Sequence, residues 1–107
     1  MTFEELQKRA IEVRAKYDKL NKQNGVSWNG SDLMSGFVGD VGDLSKIIMA
    51  KRGLREMEDV DDKLAHELAD CLWSVFVLAD KFGVDLAAEF KKVMAELDKR
   101  IDAKLAA

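Results

Sequence analysis

Leu64-Ala-His-Glu-Leu-Ala-Asp-Cys-Leu-Trp-Ser-Val-Phe-Val-Leu78 is the stretch whose reading decides the fold. Wound at about 100° per residue, it spreads Leu64, Leu68, Leu72, Trp73, Val75, Phe76, Val77 and Leu78, with Phe82 beyond, in nearly every direction around a helix axis. A helix that is apolar all round has to be covered on all sides. Three further helices are few for that task in a chain of 107 residues. The reading is therefore an all-α, four-helix domain assembled as a homodimer or larger, with this helix near the centre. The plainer alternative is a well-wrapped core helix.

Outward from it, the other three helices announce themselves by caps and stops. Thr2 to Glu5 forms a capping box. From there Phe3, Leu6, Ala10, Val13, Tyr17 and Leu20 recur at helical steps as one apolar stripe, until Asn24-Gly25 breaks it. A second helix is expected from Ser31 or Asp32 as N-cap to about Arg52, with Gly53 as a left-handed stop. The third begins near Asp61-Asp62, whose carboxylates suit a helix N-terminus, and ends at Gly83. Asp85 caps a fourth, expected to reach about Ile101, with Lys104 to Ala107 fraying.

Composition agrees. There is no proline, and residues 1–107 show no linker or repeat, so the chain reads as one domain. A net charge of -3 lacks the basic footprint of a nucleic-acid binder. A single cysteine, Cys71, cannot form an internal disulfide, which points to a reducing cytoplasm. No stretch is apolar enough to span a membrane, and the acidic Glu4-Glu5 start does not read as a signal peptide.

The informative residues are acids in the wrong place. Asp40 and Asp43 lie within about 60° of each other on the second helix, in the arc of Phe37, Leu44 and Ile47. Glu67 and Asp70 repeat the i, i+3 spacing on the third, beside Leu64, Cys71, Ser74 and Leu78. Desolvating an ionised carboxylate carries a penalty of several kcal/mol, and four together repel one another. Neither arc contains a Lys or Arg. A hard divalent cation held by carboxylate oxygens answers both problems, so Asp40, Asp43, Glu67 and Asp70 are read as ligands of Mg²⁺, with Mn²⁺ as a substitute. The competing reading has these acids at the stripe edge, reaching solvent. Gly36, Gly39 and Gly42 each weaken the second helix by about 1 kcal/mol relative to alanine. Close approach of another helix, or of a ligand's phosphates, would explain them.

Gly36-Phe-Val-Gly-Asp-Val-Gly-Asp-Leu-Ser-Lys46 followed by His66-Glu-Leu-Ala-Asp-Cys-Leu-Trp73 resembles the two signature helices of the MazG-like all-α nucleoside triphosphate pyrophosphohydrolases. Lys81-Phe-Gly-Val-Asp-Leu86 is similar to that family's turn between helices, and the resemblance runs from about Tyr17 to Leu97. It implies a four-helix MazG-like bundle, a homodimer or homotetramer, with Asp40, Asp43, Glu67 and Asp70 as magnesium ligands. It also implies hydrolysis of a nucleoside triphosphate, deoxy or non-standard, to the monophosphate and pyrophosphate. Relatives mostly carry Glu where Asp40 and Asp43 stand, and some carry a further Glu at Gly39. Each Asp reaches less far by roughly 1.5 Å, which draws a metal toward the helix backbone.

The remaining roles follow. Glu67, with the longest reach, is the candidate catalytic base. Lys46, Lys51 and Arg52 lie one to three turns beyond the aspartates and are candidates for phosphate contacts, or ordinary solvated cations. Trp28, in the loop before the second helix, offers a stacking face for a base, or packs the loop. Trp73 reads as core or subunit interface, His66 as no ligand, and Cys71 as a small buried hydrophobe. A di-iron bundle needs Glu-x-x-His motifs that this chain lacks. The rival in another class is a non-catalytic helical dimer that binds nucleotide or protein after losing hydrolysis.

Overall fold

The computed structural model describes all residues, 1–107, and contains four helices and no strand: α1 (Phe3–Gln23), α2 (Gly30–Lys51), α3 (Val60–Lys81) and α4 (Leu86–Ala106). None is long and apolar enough to cross a membrane.

Their ends follow local hydrogen-bond chemistry. Thr2 caps α1 by accepting from the Glu5 N–H at 3.1 Å, but the Glu5 carboxylate turns to the Thr2 hydroxyl rather than the Thr2 N–H, so only half the expected box forms. The N-cap of α2 is Asn29, ahead of the expected Ser31 or Asp32. Asn29 Oδ1 accepts from the Asp32 N–H at 3.0 Å while Asp32 Oδ2 accepts from the Asn29 N–H at 2.9 Å, a reciprocal box. Gly53 and Gly83 take the left-handed stops, with φ of 78° and 68°. Asp85 caps α4 through the Ala88 N–H at 3.1 Å. That helix continues to Ala106, past the expected end at Ile101, because Ala, Lys and Leu are strong helix formers.

Packing centres on α3. It forms a hairpin with α2, tied at both ends: the Phe82 ring lies so close over Gly30 that a Cβ there would come within 2.6 Å of it, and Lys51 pairs with Asp61 across the other end. On its second side α3 meets α1. The Phe3 and Phe76 rings pack edge-on at 5.2 Å, Tyr17 tilts against Trp73 at 5.6 Å, and the Trp73 indole N–H donates to the Ala10 carbonyl at 3.0 Å. Only Ala10, Ile47, Phe76, Val77 and Ala79 are buried.

Much apolar surface is left over. On α3, Leu68 and Leu72 remain about half exposed, and an apolar groove of about 430 Å³ runs between α1 and α3 past Leu6, Val13, Tyr17 and Leu72. The fourth helix projects away: every residue from Ala88 onward is exposed. Yet Phe90, Val93, Met94, Leu97, Ile101 and Leu105 fall on one stripe. The radius of gyration is 17.4 Å, against about 13 Å for a compact chain near this length.

Candidate metal centre

Helical phase brings the acids of α2 and α3 to one seam. The carboxylates of Asp40, Asp43 and Glu67 each offer an oxygen, and these oxygens lie within 4.8 Å of one another. Asp40 and Glu67 are half-buried, while Asp43 is exposed, short of the expectation that both couples sit on the apolar face. Asp70 lies one turn beyond Glu67, half-buried, with its Oδ2 3.1 Å from His66 Nε2. The structure thus gathers three of the four expected ligands and turns the fourth toward histidine.

The electrostatics are those of an uncompensated cluster. Glu67 has its pKa raised, first by desolvation, then by the charges of Asp40, Asp70 and Asp43, against a smaller opposing effect of His66. No Lys or Arg forms an ion pair with any of the four acids. Cys71 is half-buried rather than fully buried, and its thiol pKa is raised by desolvation and then by Asp40, Glu67 and Asp70. Three converging carboxylates, none ion-paired to a Lys or Arg, form an oxygen-only donor set that could hold a hard metal ion.

Two clefts flank the seam. One, about 620 Å³, is lined by Asp43, Glu67, Lys46, Lys63, His66 and Asp59 among others. The other, about 420 Å³, opens past Asp40 toward Trp28, Arg14, Asn21 and Ser74. Lys46 therefore lines a cleft at the acids. Lys51 is engaged by Asp61, and Arg52 is the exposed C-cap of α2. Trp28 leans on α2 at Gly36, where a Cβ would sit 3.3 Å from its ring. That contact accounts for Gly36. Gly39 and Gly42 face open space, so no helix of the chain makes the close crossing they suggested. Trp73 packs on α1, half-buried.

Sequence reasoning missed Arg14, Asn21, Lys63 and Asp59. Lys63 carried a signal, since it precedes Glu67 by four residues and so shares its face, which corrects the expectation that neither acidic arc contains a Lys or Arg. Arg14 flanks the α1 stripe between Ala10 and Tyr17. Nothing local in the sequence shows that α1 would bring it to Trp28. No family model matches this chain, and neither do curated proteins or solved structures.

Proposed function

We propose that the chain is a divalent-metal-dependent nucleoside triphosphate pyrophosphohydrolase of the MazG-like kind, releasing pyrophosphate from a deoxy or non-standard nucleotide. The observation that carries this reading is the meeting of the Asp40, Asp43 and Glu67 oxygens within 4.8 Å with no cationic side chain paired to them. Those three residues would hold Mg²⁺, with Asp70 adjacent. Bound there, the ion would neutralise phosphate oxygens and lower the pKa of a water. Glu67, with the longest reach of the acids, would take the water's proton. Asp43, on the exposed side, leaves the seam open to a polyphosphate. The lone cysteine fits a reducing, cytoplasmic setting.

The working unit is a homodimer or homotetramer. The chain exposes 8221 Å², roughly 2,200 Å² more than the ~6,000 Å² expected for a compact protein of 12.0 kDa. If a second copy removes that excess, a pair buries about 4,400 Å², within the range of obligate homodimers. The surfaces to be covered are the α4 stripe and the α1–α3 groove.

Pyrophosphate release from a panel of nucleoside and deoxynucleoside triphosphates, with Mg²⁺, with Mn²⁺ and with EDTA, tests the activity. Metal-dependent release of the matching monophosphate, lost in Asp40→Asn, supports it. Absence of turnover by folded, metal-loaded protein sinks it for those substrates. It would favour instead a non-catalytic helical dimer that binds nucleotide or protein. The turning of Asp70 to His66, which leaves three gathered carboxylates, is the observation on that side.

A further inference from the structure

The two clefts beside the acidic seam differ in chemistry, and the difference gives a bound nucleotide a direction. The larger is polar, with Lys46, Lys63 and His66 on its walls beside Asp43 and Glu67. Neither Lys46 nor Lys63 has an ion-pair partner in the chain. The smaller is walled by aromatic rings, Trp28 foremost, and is joined to the seam by Asp40.

Within the smaller cleft stand two polar side chains, Arg14 and Asn21, whose hydrogen-bonding capacity the protein uses only in part. The Arg14 side chain is only 15 % exposed. Its Nη2 lies 2.8 Å from Asp18 Oδ1, yet its N–H directions miss that oxygen, and Nη2 is enclosed without a hydrogen bond. Its Cζ sits 5.8 Å from the Trp28 ring centroid, which holds the guanidinium plane by cation–π attraction. No other donor of Arg14, and no side-chain atom of Asn21, makes a hydrogen bond elsewhere in the chain. Asp18 meets the guanidinium's charge and Nη2 is enclosed, so only the donors other than Nη2 are left for an acceptor in the cleft. A polyphosphate would supply one, but the walls here are aromatic rings that match a flat ligand rather than a tetrahedral one.

We propose that the Arg14–Trp28 cleft receives the base of the nucleotide and the Lys46–Lys63 cleft its terminal phosphates, so that the chain of phosphates crosses the acidic seam between them. The base stacks against the Trp28 indole, which is 42 % exposed, a contact tolerant of base identity. Arg14 donates to a ring nitrogen or carbonyl of the base, and the Asn21 amide, donor and acceptor at once, meets a second polar position. The inference rests on reading the seam as a nucleotide site, though it does not require that hydrolysis occur there.

The test separates the two halves of the ligand in EDTA, where turnover plays no part. Guanosine, adenosine, cytidine and uridine are titrated against tryptophan fluorescence and by calorimetry, and inorganic tripolyphosphate by calorimetry. Nucleosides are expected to quench Trp28 and to bind at least tenfold more weakly to Trp28→Leu and fivefold more weakly to Arg14→Met. Lys63→Met should leave them within twofold of the parent. Tripolyphosphate should show the converse pattern, weakened by Lys46→Met and Lys63→Met and indifferent to Arg14→Met. Circular dichroism establishes that each variant is folded, and Arg14→Lys serves in place of Arg14→Met if the latter is not. The assignment is overturned if nucleosides fail to bind or bind Trp28→Leu and the parent alike. It is also overturned if tripolyphosphate binding depends on Arg14 as much as on Lys63. Loss of pyrophosphate release in the presence of Mg²⁺, with this double pattern intact, would strike the hydrolase reading and leave the assignment standing.

Discussion

The α2–α3 seam and the α4 stripe are both unfinished surfaces, and they are unfinished in opposite ways. At the seam, Asp40, Asp43 and Glu67 crowd negative charge without a cationic partner. Along α4, Phe90, Leu97 and Ile101 hold apolar area in water, with Ile101 51 % exposed. Charge deficits are local, and one small ion a few ångströms away can cancel one. Apolar exposure scales with area, so only another extended surface can relieve it. On the proposed reading the first is completed by a metal and the second by another copy of the chain, and the two completions are separable.

Separability can be tested from both sides. Glu67→Gln should lower pyrophosphate release by about 10²–10⁴-fold, the usual worth of a positioned base, while the assembly's mass by light scattering stays unchanged. A fall in mass would show that the seam and the interface are one structure. Conversely, Leu97→Asp with Ile101→Asp should reduce the mass in solution to that of the single 12.0 kDa chain. A parent protein that already sediments as a single chain would remove the need for a partner on α4.

A smaller effect sharpens the metal half. Mg²⁺ at 100 times its Kd stabilises the native state by about 2.7 kcal/mol, which at about 4 °C per kcal/mol raises Tm by roughly 10 °C. EDTA should abolish the rise, and Asp43→Asn should blunt it. An equal rise with Na⁺ at matched ionic strength would reduce the seam to a screened acidic patch. Smaller again is Trp73→Phe. It removes the indole donor to the Ala10 carbonyl, costing about 1 kcal/mol by chemical denaturation, while leaving the three gathered carboxylates and the α4 stripe unaltered.

The least of these effects concerns pH in metal-free protein. Because Glu67 has a raised pKa, the native chain binds its proton more readily than the unfolded chain. Stability then falls as pH rises from the unfolded carboxyl value through the raised one. Above both values the cost of ionising Glu67 is fully present, and below both it is absent. Glu67→Gln should therefore raise Tm at pH 7–8 and lose that advantage as the buffer is acidified through the Glu67 transition. A constant offset at every pH would mean that the carboxylate is not strained.

Helix identity was legible because caps and stops are local: Asn24-Gly25, Gly53, Gly83 and Asp85 fall where the sequence puts them. The α2 start was displaced to Asn29 because Asn29 and Asp32 form a reciprocal box that the Ser31-Asp32 pair obscures. The acidic seam was legible because i, i+3 spacing survives any packing of two helices face to face. What could not be read was set by tertiary contact. Asp70 turns to His66 on its own helix rather than joining the other acids. Arg14 reaches Trp28 only because α1 docks on α3 at Tyr17 and Trp73. Periodicity marked the α1 stripe as apolar but not that Leu6 and Leu20 would stay exposed in the folded chain.

The hydrogen bond from Trp73 to Ala10 spans 63 positions of sequence, and that separation is also a delay. A ribosome adds about 5–20 residues each second, so Ala10 is made some 3–13 s before the indole that will hold it. During that interval the α1 stripe has no partner on its own chain. Newly made α1 thus waits with its stripe uncovered, and its wait ends only when α3 has emerged to receive it.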